Sequence, residues 1–196
     1  MTRHERQRTS PGNRASIASA AARLMAEDGI TDYHHAKKKA ARQLGLPEHT
    51  AFPDNAEVEA ELRAYRTLYQ GEEHEELLAM LRHTALDLLD LLAAFNPYLT
   101  GSVLDGTAGE HSRIDILLFA DSAKEVEIFL LNRAIDVTHV ESRNERVEAV
   151  LRMETDTAEA DLIILPPNLE RVSLKRRDGR PHDRIRADAL RALLKE

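Results

Sequence analysis

The chain has 196 residues, of which 42% are apolar, 31% charged and 4% aromatic, and it carries no cysteine. That length suits one good-sized domain, or a small domain with an added helical segment. The missing thiols exclude disulfides, thiolate zinc sites and cysteine nucleophiles. No N-terminal apolar stretch suits a signal peptide, and no run approaches the ~20 apolar residues that span a bilayer, so the expected location is cytoplasmic with no membrane partner. The net charge of −7 divides as +4 over residues 1–50, −16 over 51–170 and +5 over 171–196. An acidic middle between basic ends is not the profile of a nucleic-acid coat.

Residues 1–14 are polar and basic around Pro11-Gly12 and read as a flexible tail. From Ala15 to Asp28 the apolar residues Ile17, Ala20, Ala21, Leu24 and Met25 follow helical spacing, and Gly29 stops the helix. Asp32 can cap a second helix running to Leu44, with Gly45 as its stop. A loop over 45–54 leads to a third helix capped by Asn55, with Val58, Leu62, Tyr65, Leu68 and Tyr69 as its apolar stripe and Gly71 as its break. Glu72, Glu73, Glu75 and Glu76 crowd the start of a fourth, strongly apolar helix that ends near Phe95, because Pro97 disfavours a helical Asn96.

Strand patterns follow. Tyr98–Thr100 is short, and Ile114–Ala120 is nearly all apolar, as a strand buried on both faces should be. Ala123–Ala134 reads as a helix capped by Ser122, and Asp136–Glu141 as a short strand. Arg146–Thr155 alternates, with Val147, Ala149, Leu151 and Met153 on one side. Asp156-Thr157 suggests a turn, Glu159–Leu165 another buried strand ended by Pro166-Pro167, and residues from about Asp183 to Leu194 a last helix. The expected fold is α+β: a tail over 1–14, a helical segment over 15–71, and a domain over 72–196 built on a small mixed β-sheet.

Two acids interrupt the apolar strands: Asp115 in Arg113-Ile-Asp-Ile-Leu-Leu-Phe119 and Asp161 in Ala160-Asp-Leu-Ile-Ile-Leu165. A carboxylate in such a setting is costly unless paired, hydrogen-bonded or bound to metal. If the strands are neighbours, the two acids converge. Upstream, Gly101 lets backbone amides approach a phosphate, and the Ser102 hydroxyl adds a donor.

The order of helix, short strand, Gly-Ser, a loop of about ten residues, Ser-x-Ile-Asp-Ile-Leu-Leu-Phe, helix and a later strand with one acid resembles the nucleotidyltransferase superfamily of DNA polymerase beta and the kanamycin-type and minimal bacterial nucleotidyltransferases. The resemblance covers about residues 72–165. It implies a nucleotidyltransferase-like domain with a Gly-Ser loop holding a nucleoside triphosphate, so Gly101 and Ser102 are the nucleotide-binding residues. It implies an acid pair on the next strand binding two Mg²⁺ ions, and a third acid acting on the acceptor. Asp115 matches the second acid of the pair and Asp161 the third, which makes both candidate catalytic and metal-binding residues. Arg113 stands where the first acid belongs.

Residues two apart on a strand face the same way, so the Arg113 guanidinium is expected beside Asp115, pairing with Asp115 and Asp161 in place of a metal. The expected function is Mg²⁺-dependent transfer of a nucleoside monophosphate to an unidentified acceptor, impaired by Arg113; Arg113→Asp should then strengthen Mg²⁺-nucleotide binding. The alternative on the same fold is a catalytically inactive nucleotide-binding or regulatory module, a pseudoenzyme.

A third reading comes from Ala36-Lys-Lys-Lys-Ala-Ala-Arg-Gln-Leu-Gly45, which faintly resembles the start of a tetracycline-repressor-type helix-turn-helix whose Lys37–Lys39 run would contact DNA phosphates. Otherwise those lysines lie on a solvated face. The basic run Arg171, Lys175, Arg176, Arg177, Arg180, Arg184 and Arg186, with a turn at Asp178-Gly179, reads as a solvated tail, the alternative being a reach to a substrate phosphate or a polynucleotide acceptor. The nine histidines form no metal motif, and neither a Walker phosphate loop nor a hydrolase nucleophile elbow is present.

Overall fold

The structure is a computed structural model that describes residues 11–47, 50–69, 71–142, 144–175, 179 and 181–195. It divides into two units, Met1–Gly71 and Glu72–Glu196. Among the described residues no helix is long and apolar enough to cross a membrane.

The first unit is helical. Helix α1 (Pro11–Glu27) starts earlier than the sequence pattern suggests. Pro11 suits a first helical position, and Arg14, expected in the tail, is held by Glu57 at 2.6 Å. The first ten residues of the expected tail lie outside the described residues. Helix α2 (Tyr33–Gln43) is capped by Asp32, whose side chain accepts from the His35 amide at 2.6 Å. Helix α3 (Asn55–Tyr69) is capped one residue earlier than expected, because Asp54 and Glu57 each accept the other's backbone amide in a capping box. Asn55 instead accepts from Lys37 Nζ at 2.7 Å. Ile17, Ala21, Ala36, Ala40, Val58 and Leu62 form the shared core, whereas Leu68 and Tyr69, expected in the buried stripe, are exposed.

The second unit opens within helix α4 (Gly71–Leu91), whose first residue, Gly71, ends the first unit, so Gly71 begins a helix as well as separating two. A short 3₁₀ turn over Ala93–Phe95 follows, and Asn96 turns left-handed before Pro97. Then come strand β1 (Tyr98–Thr100), a five-residue helix α5 (Gly101–Asp105), β2 (Ile114–Phe119), helix α6 (Ala123–Leu131), β3 (Thr138–Val140), β4 (Ala149–Glu154), β5 (Glu159–Leu165), β6 (Arg184–Ile185) and helix α7 (Ala187–Leu193). Two expectations change here. Gly101-Ser102 opens a helical turn, not a loop, and the last helix starts at Ala187 because Arg184-Ile185 pairs with β1 as an edge strand.

The six strands form one mixed sheet in the order β3-β4-β5-β2-β1-β6, with β2 and β5 parallel and the other neighbours antiparallel. Its two faces differ. Leu99, Ile114, Ile116, Leu118, Leu151, Leu162 and Ile164 point into the main core with Leu81, Ala85, Leu89, Val126, Leu130 and Leu190 of the helices. The other face carries only a small cluster, Leu117, Phe119 and Leu165, packed by Tyr98, Val147, Ile163, Leu169 and Leu174. Val140 and Val150 continue that face toward the β3 edge, and a row of polar residues crosses it at the heads of β2 and β5, where the candidate site lies.

Candidate functional site

The sheet aligns six side chains in one row on its thinly covered face. Thr138 opposes Arg152, Arg152 opposes Asp161, Asp161 opposes Asp115, Asp115 opposes Thr100, and Thr100 opposes Arg184. Directly opposed residues on neighbouring strands project to the same side. The two acids singled out in the sequence are therefore immediate neighbours across the parallel β2–β5 pair. Each sits at the head of its strand, where a buried apolar run meets the end of the sheet.

Gly101 lies against Asp115 of this pair. Its φ of +74° is one that L side chains rarely adopt, and a Cβ there would collide with Asp115 Oδ2 and lie 3.2 Å from Asp115 Cγ. Both the conformation and the space require glycine. The turn is closed by Ser102, whose carbonyl accepts from the amides of Gly106 and, at 2.9 Å, Thr107. Thr100, almost fully buried, donates its hydroxyl to the Asp183 carbonyl at 2.7 Å and so fixes β1 to the C-terminal segment. Gly101, Ser102, Asp115 and Asp161 thus fall within one short stretch of the sheet surface.

The arginines are arranged differently from the sequence expectation. Arg113 pairs with neither aspartate: its Nε donates to Glu159 Oε2 at 2.7 Å. Ile114 pairs with Ala160, so the residues before them, Arg113 and Glu159, are neighbours at the end of the β2–β5 pair. The residue that holds Asp161 is Arg152, which the sequence reading did not single out. Its Nε donates to Asp161 Oδ1 at 2.7 Å and its Nη2 to Oδ2 at 2.9 Å, a two-pronged pair. The signal for it was in the hairpin. With Asp156-Thr157 as the turn, Glu154 opposes Glu159, and two residues further back Arg152 must oppose Asp161.

Asp115 is left without a hydrogen-bonding partner for its carboxylate among the described residues. Burial pushes its carboxyl up to about 7, with the Asp161 charge adding to the rise and Arg113 and Arg152 opposing it. Burial dominates because the Gly101 turn covers the carboxylate. Arg152 is also raised, but by its hydrogen bonds to Asp161, which favour the charged form, so it stays charged.

These residues do not fit a pair of divalent metals. Both oxygens of Asp161 are engaged by Arg152, Glu159 is engaged by Arg113, and Asp115 alone remains. Among the described residues no group of three or more His, Asp or Glu is placed to hold a metal ion. A two-metal centre needs several free carboxylate oxygens to balance its charge.

The remaining predicted contacts fall elsewhere. Lys37 is buried, with Nζ donating to the Pro53 carbonyl at 3.0 Å and to Asn55, and Lys39 is paired with Asp28 at 2.7 Å. The lysine run is therefore not one continuous phosphate-binding face, nor a wholly solvated one. In the C-terminal basic run, Arg184 is packed over the rings of Tyr98 and Phe119 and donates to the Glu170 carbonyl, while Arg186 pairs with Glu170 at 2.5 Å. Those two arginines build the sheet edge and do not form a free tail; Arg176, Arg177, Asp178 and Arg180 lie outside the described residues. His111 is exposed. No protein-family model matches the chain, and no curated protein or solved structure matches it either.

Proposed function

We propose that the Glu72–Glu196 unit binds a nucleoside triphosphate on the thinly covered face of its sheet, and that it acts as a binding or regulatory module of nucleotidyltransferase type, not as an efficient transferase. Gly101 and Ser102 would meet the phosphates, with Asp115 and Asp161 beside them. The observation that carries this reading is the contact of Gly101 with Asp115: a glycine-dependent turn lies directly against one acid, whose neighbour across the sheet is Asp161. The turn and the acid pair are the two halves of the sequence resemblance, and they meet at one point of the sheet. Arg152 favours binding over transfer, because it engages the carboxylate that would otherwise act on an acceptor hydroxyl.

Calorimetric titration of the full chain with each of the four ribonucleoside triphosphates tests the reading. At least one should bind with a Kd in roughly the micromolar-to-millimolar range. Ser102→Ala, which removes a hydroxyl donor to a charged phosphate, should weaken that binding by about tenfold. Absence of binding by every nucleotide, or equal affinity of Ser102→Ala and wild type, would sink the phosphate assignment. Incubation with α-³²P-labelled nucleotide should leave the added acceptors and the chain unlabelled. Sustained label transfer would overturn the non-catalytic half of the proposal.

A further inference from the structure

We propose that Arg152 stands in for a divalent cation at the acid pair, so that this face takes up a nucleotide phosphate without Mg²⁺; the nucleotide part rests on the function proposed above. The guanidinium meets both oxygens of Asp161 in a fork, the geometry that planar arginine matches to a carboxylate and that a metal would otherwise supply. Its position is set by the β4–β5 register, which places Arg152 directly opposite Asp161. The side chains are 23% and 15% exposed, so water screens this pair much less than a surface ion pair.

The charges around the pair leave little for a metal. Arg152 offsets Asp161, and Arg113 offsets Glu159. Only Asp115 remains, so a Mg²⁺ ion would gain one carboxylate while facing two fixed guanidinium charges. Mg²⁺ gives up its water reluctantly and needs more than that. A phosphate meets the opposite situation. Arg152 uses Nε and Nη2 on Asp161, and its remaining N–H groups can donate to phosphate oxygens. Asp161 holds the fork still, so the arginine is already oriented when the ligand arrives. The sequence assigned this blocking role to Arg113; the geometry assigns it to Arg152.

The experiment compares wild type, Arg152→Gln and Arg113→Ala, with folding checked by circular dichroism. ATP binding is measured in excess Mg²⁺ and in excess EDTA, and Mn²⁺ alone is titrated into each protein. For wild type, EDTA should change ATP affinity by less than about twofold, and Mn²⁺ should not bind measurably. Arg152→Gln frees both Asp161 oxygens beside Asp115; it should bind Mn²⁺, and its ATP affinity should fall by about tenfold or more in EDTA relative to Mg²⁺. Arg113→Ala should stay metal-independent, because its partner is Glu159.

A wild type whose ATP binding collapses in EDTA overturns the proposal, as does one that binds Mn²⁺ as well as Arg152→Gln does. A folded Arg152→Gln that binds no Mn²⁺ overturns it too. If Arg152→Gln does not fold, the wild-type measurements decide alone. If wild type binds no ATP under either condition, the nucleotide reading fails, and Mn²⁺ binding still tests the arginine: uptake by wild type refutes its role.

Discussion

Asp115→Asn is the sharpest perturbation of the site. The wild-type carboxyl titrates at about 7, against 3.8 for an ordinary aspartate. At about 1.4 kcal/mol per pH unit, ionising it in the folded chain costs about 4 kcal/mol relative to the unfolded chain. Water reaching the open side of the sheet lowers that figure, and about 2 kcal/mol is a sound expectation. An aspartate whose pKa is raised by folding holds its proton more tightly when folded. Its stabilising effect is complete below about pH 4 and is lost as the pH rises through about 7. Asparagine keeps the shape and never ionises. Asp115→Asn should therefore match wild type near pH 4 and exceed it above pH 7, by about 7 °C in Tm for a domain of this size. Parallel thermal melts of both proteins between those pH values, followed by circular dichroism, read the difference directly, since other groups titrate alike in both. A difference that stays constant with pH, or a wild type that gains on the variant as pH rises, would refute the account of Asp115.

Two further predictions follow from other contacts. Gly101→Ala forces a Cβ into Asp115 at a positive φ and should destabilise the unit by about 2 kcal/mol while weakening nucleotide binding; denaturant melts and ATP titration check both effects. Lys37→Met removes the donor to the Pro53 carbonyl and Asn55, and should lower the stability of the helical unit by about 1–2 kcal/mol in a urea titration; an unchanged midpoint would show that this buried lysine contributes nothing to it.

What was legible in the sequence was what buried backbone imposes. Strand β2 is buried on both faces beyond Asp115 and β5 on its core face and at its far end, so both read as near-continuous apolar runs, and each acid stood out by interrupting one. Asp32 and Ser122 were recognisable as caps because each sits just before a helical pattern, and both side chains accept the expected amide. The pieces that escaped are short or depend on contacts across strands. Helix α5 has five residues and β6 two, too few to show any period. Arg152 sits at an outward position of an alternating strand, where a charged residue is unremarkable. Its meaning comes only from the register that sets it opposite Asp161. Arg113 lies one residue before β2, and which carboxylate a long side chain chooses at a sheet's end is decided by neighbours absent from one-dimensional spacing.

The hairpin that joins Arg152 to Asp161 also bears on the order in which the site can assemble. The two residues are nine apart along the chain, whereas Asp115 meets Asp161 only through a parallel pairing across forty-six residues. A hairpin closes in about 1–10 µs, while distant parallel pairing is slower. If the hairpin closes first, Asp161 is neutralised before β2 pairs with it, and the chain does not bring two bare carboxylates together to complete its sheet.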